Sequence, residues 1–96
     1  MQRVRIEWDA EKDRLNLRKH GVSFDVAARV FDDPGYLLVE DRVDETGEMR
    51  WHAVGFVDTV LLLVVHVYRT TLYGEEILRI ISARKVGKRE GRRYFQ

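Results

Sequence analysis

The chain has 96 residues, of which 45% are hydrophobic, and this suits one compact domain spanning residues 1–96. Cysteine is absent, which excludes disulfides, thiolate zinc sites and thiol nucleophiles. No apolar run is long enough to cross a bilayer, so we expect a cytoplasmic protein without membrane contact. The net charge is only +1 because an acidic segment, Asp32 to Glu48, offsets a basic segment at residues 84–96.

A strand and two short helices are predicted at the N-terminus. Residues 3–8 have strand character, and Asp9 can cap a helix that runs to about His20. Gly21 can end that helix in the left-handed conformation, and Ser23 can cap the next one. The buried side of the second helix is predicted from helical spacing to contain Phe24, Ala27, Ala28 and Phe31.

Four more strands are predicted: Tyr36 to Glu40, Met49 to Phe56, Val60 to Arg69 and Glu76 to Ala83. The links between them are short, which favours an antiparallel meander. The strand from Val60 is apolar on both faces, so it should be central in the sheet and covered by helices on at least one side. Together these elements predict an α+β domain.

A last helix is predicted from about Val86 to Phe95. Gly87 and Gly91 each weaken it by up to about 1 kcal/mol relative to alanine, so we expect this helix to become ordered on binding a partner. Lys85, Arg89 and Arg92 would form a basic stripe along it. Tyr94 would either serve as a stacking or proton-transfer group or anchor the helix on the sheet.

The first helix carries a second basic face. Lys12, Asn16 and either Lys19 or His20 are spaced to align over about two turns, and such a face could bind a phosphate backbone. The alternative, which this pattern alone favours, is the solvent side of an ordinary amphipathic helix.

The alternation of side chains along a strand predicts which face of the sheet each remaining candidate residue occupies. Arg79 and Arg84 should point to opposite faces of their strand unless a bulge intervenes. Arg79 lies between apolar neighbours and therefore needs a carboxylate partner or a bound anion. His66 lies among valines, where a hydrogen-bonded core residue is more common than a catalyst.

Metal-dependent chemistry is not indicated. The three histidines fall on different predicted elements, and Asp32 and Asp33 are explained by helix-end and turn chemistry. There is no glycine-rich phosphate loop and no GxSxG motif. These patterns leave metal-free acid–base chemistry on a phosphate, or simple binding.

The sequence resembles the BrnT family of toxins over nearly its whole length. The residues that carry this resemblance are Trp8-Asp9, Lys12, Asn16, Lys19-His20-Gly21-Val22, Phe24, Ala27, Phe31-Asp32-Asp33, Gly47-Glu48, Arg50-Trp51, Gly55, the run Arg79 to Lys85, Arg89-Glu90 and Tyr94. The resemblance implies a RelE-like fold, an antiparallel sheet of about four strands with two N-terminal helices and one C-terminal helix. It also implies a cofactor-free endoribonuclease that inhibits translation, neutralised by a BrnA-type antitoxin through which alone the toxin meets operator DNA.

The leading hypothesis is RNA cleavage by attack of the 2′-hydroxyl on the adjacent phosphate, which needs a base, cations and an acid. The predicted catalytic residues are His20, His66, Arg79, Arg84 and Tyr94. The predicted RNA-binding residues are Lys12, Asn16, Lys19, Arg50, Lys85, Arg89 and Arg92. The alternative is a non-enzymatic gyrase inhibitor of the ParE type, or a nucleic-acid-binding module that uses the same basic surface.

Overall fold

The computed structural model describes residues 4–95, so Arg3 of the predicted first strand lies outside it. The elements in chain order are β1 (Val4–Trp8), α1 (Ala10–His20), α2 (Phe24–Ala28), a 3-10 helix (Arg29–Asp32), β2 (Leu37–Val43), β3 (Met49–Val57), β4 (Val60–Thr70), β5 (Glu76–Lys85) and α3 (Lys88–Tyr94). The predicted α+β class is confirmed.

The two N-terminal helices begin where the sequence predicts. The Asp9 carboxylate accepts hydrogen bonds from the backbone N–H groups of Glu11 and Lys12, at 2.8 and 3.0 Å. Gly21 ends α1 with a φ of 71°, in the left-handed region that glycine adopts without strain. The Ser23 hydroxyl caps α2 by accepting from Val26. These three capping predictions are therefore confirmed.

The second helix ends before Phe31, so the buried side predicted to include Phe31 is not formed as expected. It is α-helical only to Ala28 and then continues as a 3-10 helix, whose period is three residues. Val30, three residues after Ala27, is consequently fully buried, whereas Phe31 remains half-buried. Phe24 and Ala27 occupy the core as predicted.

The sheet is mixed and has five strands in the order β1-β5-β4-β3-β2. Strands β2 to β5 form the predicted antiparallel meander, and β4 is central as expected. The expectation of about four antiparallel strands is wrong in one respect. β1 pairs in parallel with β5, from Val4 opposite Glu76 to Trp8 opposite Ile80. No turn joins these two segments, so local sequence patterns do not encode their pairing.

A β-bulge in β5 determines which way its side chains point. Ile80 lies opposite His66 and Ser82 lies opposite Val65, so β5 contains one more residue, Ile81, than the facing stretch of β4. An extra residue reverses the alternation of every side chain beyond it. Leu78, Ile80 and Ala83 therefore share one face, and Arg79, Ser82 and Arg84 share the other. The expectation of opposite faces for the two arginines is corrected by this bulge.

The hydrophobic core lies between the sheet and the N-terminal helices. Its buried members are Val22, Phe24, Ala27, Val30, Ala53, Val57, Leu62, Val64, Leu78, Ile80 and Ala83. Burial of this apolar surface is the main favourable contribution to folding. The other face of the sheet carries α3 and the charged side chains described below.

Candidate functional site

Arg79, Ser82 and Arg84 lie on the sheet face turned away from the core, opposite Val67, Val65 and Leu63 of β4. We call this surface the arginine face. It extends onto β3, because His52 is the cross-strand partner of Val65 and therefore points the same way. A bulge of one residue thus places on one face of the sheet two arginines that strict alternation would put on opposite faces.

Arg84 is held by a carboxylate from α3. Its two terminal nitrogens donate to the two oxygens of Glu90, each at 2.7 Å. This forked hydrogen bond raises the pKa of Arg84, with a smaller contribution from nearby Tyr94, and it lowers the pKa of Glu90. A phosphate group offers the same paired oxygens to an arginine fork. Arg84 is therefore already positioned for bidentate anion binding.

Arg79 has the carboxylate partner that its surroundings require. Its Nη1 donates to Oε1 of Glu7 at 3.0 Å, and the parallel register sets Glu7 beside it on β1. The side chains are 26% and 35% exposed, so the pair lies at the surface. Arg79 thus combines a structural ion pair with access from solvent.

A cleft of about 270 Å³ lies between α1 and the bulge. Lys12, Lys19 and His20 line it from α1, and Ile81 and Ser82 line it from β5. Both lysines are exposed and His20 is half-buried. Since Ser82 also belongs to the arginine face, this α1 cleft adjoins that face at the edge of the sheet.

Asn16 has a structural role at the base of the α1 cleft. Its amide nitrogen donates to the carbonyl oxygens of Val22 and Ala83, at 2.9 and 2.8 Å, and its oxygen accepts from the Ala83 N–H at 3.1 Å. β1 pairs with β5 only as far as Ile80, so Asn16 continues the hydrogen bonding of that edge. Its side chain is buried and its polar atoms are occupied, which favours positioning over direct RNA contact.

His66 lies in the core and does not join the other predicted catalytic residues. Its Nδ1 and Nε2 atoms are hydrogen-bonded to the Val64 carbonyl and the Tyr68 hydroxyl, at 3.1 and 3.2 Å. The side chain is fully buried, and this burial lowers its pKa to about 4. The structure thus supports its interpretation as a core residue, and the candidate site does not include it.

The predicted C-terminal basic stripe is only partly formed. Arg89 and Arg92 are exposed on α3, but the helix begins at Lys88, so Lys85 belongs to β5. Lys85 pairs with Leu62, a core residue, and therefore points away from the arginine face. This part of the stripe prediction is wrong because the strand extends two residues further than expected.

Tyr94 and Arg50 lie at opposite sides of the arginine face. Tyr94 is half-buried on α3, close enough to Arg84 to influence its pKa. The Arg50 Nε atom lies 3.4 Å from a carboxylate oxygen of Asp44, in the turn between β2 and β3. Arg50 is therefore held by that turn.

His52 is a further candidate that sequence reasoning missed. Its Nε2 lies 3.3 Å from Oδ2 of Asp41 on the neighbouring strand, and its side chain is 23% exposed. His52 also contributes to the lowered pKa of Glu90, which places it within electrostatic range of the Arg84 pair. Alternation along β3 puts it on the same face as Arg50, and that signal could have identified it.

In residues 4–95 no three histidine, aspartate or glutamate side chains are grouped so as to hold a metal ion. No helix in that part of the chain has the length and apolar character required to cross a membrane.

Comparison with known proteins gives one family match. A model described as the ribonuclease toxin BrnT of a type II toxin–antitoxin system matches residues 8–90. The chain belongs to the BrnT family. The match runs from Trp8 at the end of β1 to Glu90 in α3, so the family resemblance inferred from the sequence is confirmed. No curated protein gives a significant match.

BrnT proteins are ribonuclease toxins, and such an activity requires cationic groups at a phosphodiester. In this BrnT chain two cations of the arginine face, Arg79 and Arg84, come from one strand. The α1 cleft adds the two lysines at the sheet edge. This arrangement suits an extended polyanion better than an isolated small ligand.

Proposed function

We propose that this BrnT protein is a metal-independent endoribonuclease that acts at the arginine face and inhibits translation by cleaving RNA. The observation that supports this proposal best is the bulge at Ile81, which groups Arg79, Ser82 and Arg84 beside the α1 cleft. An RNA strand would follow the α1 cleft, crossing the sheet edge at Ser82 to reach Arg84. Lys12 and Lys19 would then bind phosphates next to the one that reacts.

The reaction is attack of a ribose 2′-oxygen on the adjacent phosphorus, with departure of the 5′-oxygen of the next nucleotide. A base removes the 2′-hydroxyl proton and an acid supplies a proton to the departing oxygen. The products are a 2′,3′-cyclic phosphate and a 5′-hydroxyl. The Arg84 fork would bind the negative oxygens of the phosphorane, exchanging the Glu90 carboxylate for phosphate.

The candidates for proton transfer are three partly exposed side chains from elements other than β5. Tyr94 supplies a phenol within electrostatic range of the Arg84 guanidinium. His20 supplies an imidazole in the α1 cleft, and His52 supplies a second one within electrostatic range of Glu90. Replacing these residues singly, as Tyr94→Phe, His20→Ala and His52→Ala, would identify the acid and base. Loss of one limb of the pH–rate profile is the diagnostic result.

The decisive experiment is incubation of the purified protein with RNA in excess EDTA. We expect cleavage that leaves 2′,3′-cyclic phosphate ends, and we expect Arg84→Ala to abolish it. Arg14→Ala is the matched control, because Arg14 forms an exposed pair with Glu11 within α1. Intact RNA, or cleavage restored only by a divalent metal, would contradict the proposal; inhibition of gyrase without cleavage would support the ParE-like alternative.

The proposed partner is a BrnA-type antitoxin, and operator DNA would be contacted only through it. Type II toxins are neutralised by a protein, so the antitoxin should bind the folded toxin directly. We expect expression of the toxin alone to arrest bacterial growth and co-expression of the adjacent antitoxin gene to restore it. Normal growth despite soluble expression of the toxin would contradict this prediction.

A further inference from the structure

A groove of about 400 Å³ runs between α3 and the end of the β3–β4 hairpin. Its floor includes the aliphatic side chains of Leu61 and Val86. Phe56 and Phe95 also line it, and their rings contact each other with centroids 6.1 Å apart. We call this surface the α3 groove.

The α3 groove contains two large apolar side chains that remain exposed to solvent. Phe56 is 47% exposed and Phe95 is 40% exposed, and the two rings are adjacent. Scattered exposed apolar side chains are common, but grouped ones mark interaction sites. Gly91 contributes to the shape of the groove, because a Cβ atom there would lie only 3.0 Å from Cδ2 of Leu61. A side chain at this position would therefore require Leu61 to move by a few tenths of an ångström.

The rim of the α3 groove is cationic. Lys88 and Arg92 line it, and Arg89 and Arg93 extend the charge along the same short helix. Among the described residues these four side chains form no ion pair, whereas Glu90, the only acidic residue of α3, is bonded to Arg84. The groove thus combines an apolar floor with cations that form no ion pair within residues 4–95. Its complement is an apolar side chain flanked by carboxylates.

We propose that the α3 groove is the docking site for an acidic segment of the antitoxin, which packs an apolar side chain against the Phe56–Phe95 ring pair and the aliphatic floor. This inference rests on the proposed neutralisation by a protein partner and adds the place and chemistry of that contact. Anchors of this kind, buried in a pocket and surrounded by a polar rim, dominate the binding energy of protein interfaces. Complementary charge on the rim would accelerate association.

Protein fits the α3 groove better than RNA does. Base stacking uses the free face of an aromatic ring, but the two phenylalanine rings are tilted by 43° against each other over an aliphatic floor. A second copy of this chain fits less well too. Its own acidic and apolar segment is β2, where a bulge at Asp41 interrupts the strand and Asp41 is paired with His52.

Docking in the α3 groove would also explain neutralisation. The same helix carries Glu90, which is hydrogen-bonded to Arg84, so a segment bound along α3 would fix the Arg84–Glu90 pair. Arg84 would then be unable to exchange its carboxylate for phosphate. The toxin would be inhibited even where the antitoxin does not cover the whole arginine face.

The test is the affinity of the purified full-length toxin for the antitoxin of the same operon, measured by calorimetry. Phe56→Ser and Phe95→Ser should each weaken binding at least about tenfold, as loss of an interface anchor does. Lys88→Glu should also weaken binding, and the loss of affinity should be larger at low salt than at high salt. The matched control is Leu72→Ser with Tyr73→Ser, because these side chains are fully exposed at the tip of the β4–β5 hairpin. Phe95→Leu serves as a milder variant if serine lowers the melting temperature.

Several outcomes would overturn the inference. These are unchanged affinity in the phenylalanine and Lys88 variants, an equal loss in the Leu72 and Tyr73 control, or loss of RNA binding with antitoxin affinity preserved. Self-association of the free toxin that Phe95→Ser abolishes would assign the groove to a second copy instead.

Failure of the proposed ribonuclease activity is distinguishable from failure of this inference, because the binding measurement contains no RNA. A chain that does not cleave RNA but needs Phe56 and Phe95 for the antitoxin would retain this inference alone.

Discussion

Arg79 and Arg84 each contact one carboxylate, and those carboxylates come from different elements, β1 and α3. Both ion pairs are at least a quarter exposed, so each should contribute only about 0–1 kcal/mol to the free energy of unfolding. Because the two arginines share a face, we expect Arg84→Ala to abolish RNA cleavage and Arg79→Ala to reduce it, while the melting temperature changes little in both variants. Cleavage rates and thermal unfolding of the two variants, compared with Arg14→Ala, would check this.

A different result would separate the two arginines. If Arg79→Ala lost stability but kept activity, the Glu7 pair would be structural and the site would be confined to Arg84 and α3. Arg84→Lys adds a sharper comparison. It keeps the charge but loses the fork, so it should retain only part of the activity.

Asn16 illustrates how a polar residue selected for RNA contact can instead support the sheet. We expect Asn16→Ala to destabilise the protein by about 2–4 kcal/mol, because buried N–H and carbonyl groups of Ala83 would lose their partner. Urea unfolding would measure this loss. Lys12→Ala, one turn away and exposed, should leave stability nearly unchanged. Equal stability of the two variants would show that the Asn16 hydrogen bonds are replaceable.

Among the elements, α3 combines low intrinsic stability with the most functional contacts. It has seven residues, its N-cap Gly87 provides no side-chain hydrogen bond, and helices this short are marginal without tertiary support. We expect its amide hydrogens to exchange faster than those of Val60–Val67 in the free toxin, and to become protected in the antitoxin or RNA complex. Hydrogen exchange by mass spectrometry would measure both states. Equal protection in the free protein would show that α3 is a permanent part of the core.

The two glycines of α3 should respond differently to substitution. Nothing lies near a Cβ atom at Gly87, so Gly87→Ser can add a capping hydroxyl worth a few tenths of a kcal/mol and slow exchange of α3. Gly91 packs against Leu61, so Gly91→Leu should displace α3 from the sheet and speed exchange there. The exchange of β4 would be the internal control. The same rate change in both variants would mean that packing against Leu61 does not hold the helix.

Helix ends that are set by capping residues could be predicted from the sequence. Strand pairings between segments far apart in the chain could not. Asp9, Gly21 and Ser23 act within a few residues, so they marked the helix ends correctly. The parallel pairing of β1 with β5 depends on segments about 70 residues apart. The bulge at Ile81 follows from packing against β4, and no glycine marks it. The face of Arg84, and hence the candidate site, therefore required the structure.

At the scale of the whole molecule, the acidic edge strand β2 lies apart from the cations of α1 and α3. β2 forms one edge and carries Glu40 and Asp41, together with the bulge between Glu40 and Arg42. Charges and a bulge on an edge strand prevent unwanted pairing with other chains. Several cations that form no ion pair among the described residues, including Lys12, Lys19, Lys88 and Arg92, lie on α1 and α3 instead. Phosphate binding and edge protection are thus served by separate parts of the fold.

The buried His66 links the stability of the whole domain to pH. Its pKa is about 4 in the folded protein, against the ordinary 6.5 expected in the unfolded chain. The unfolded state therefore binds more protons between these values. The stabilising contribution is complete above pH 6.5 and is lost as the pH falls toward 4, an effect of about 3 kcal/mol. We expect the free energy of unfolding to decrease over this interval.

His66→Gln should flatten that dependence, since glutamine does not titrate, although it lowers stability at neutral pH by disturbing the bonds to Val64 and Tyr68. His20→Gln is the matched control, because His20 lies half-exposed on α1.

Four carboxyl groups also have lowered pKa values, those of Asp9, Asp33, Asp44 and Glu90. Their contribution begins to be lost as the pH falls through their ordinary pKa values, 3.8 for the aspartates and 4.5 for Glu90, so it overlaps only the acid end of the histidine interval. Urea unfolding between about pH 5.5 and pH 7 isolates the His66 effect. An equal slope in the wild-type protein and His66→Gln would show that His66 is protonated without cost in the folded state.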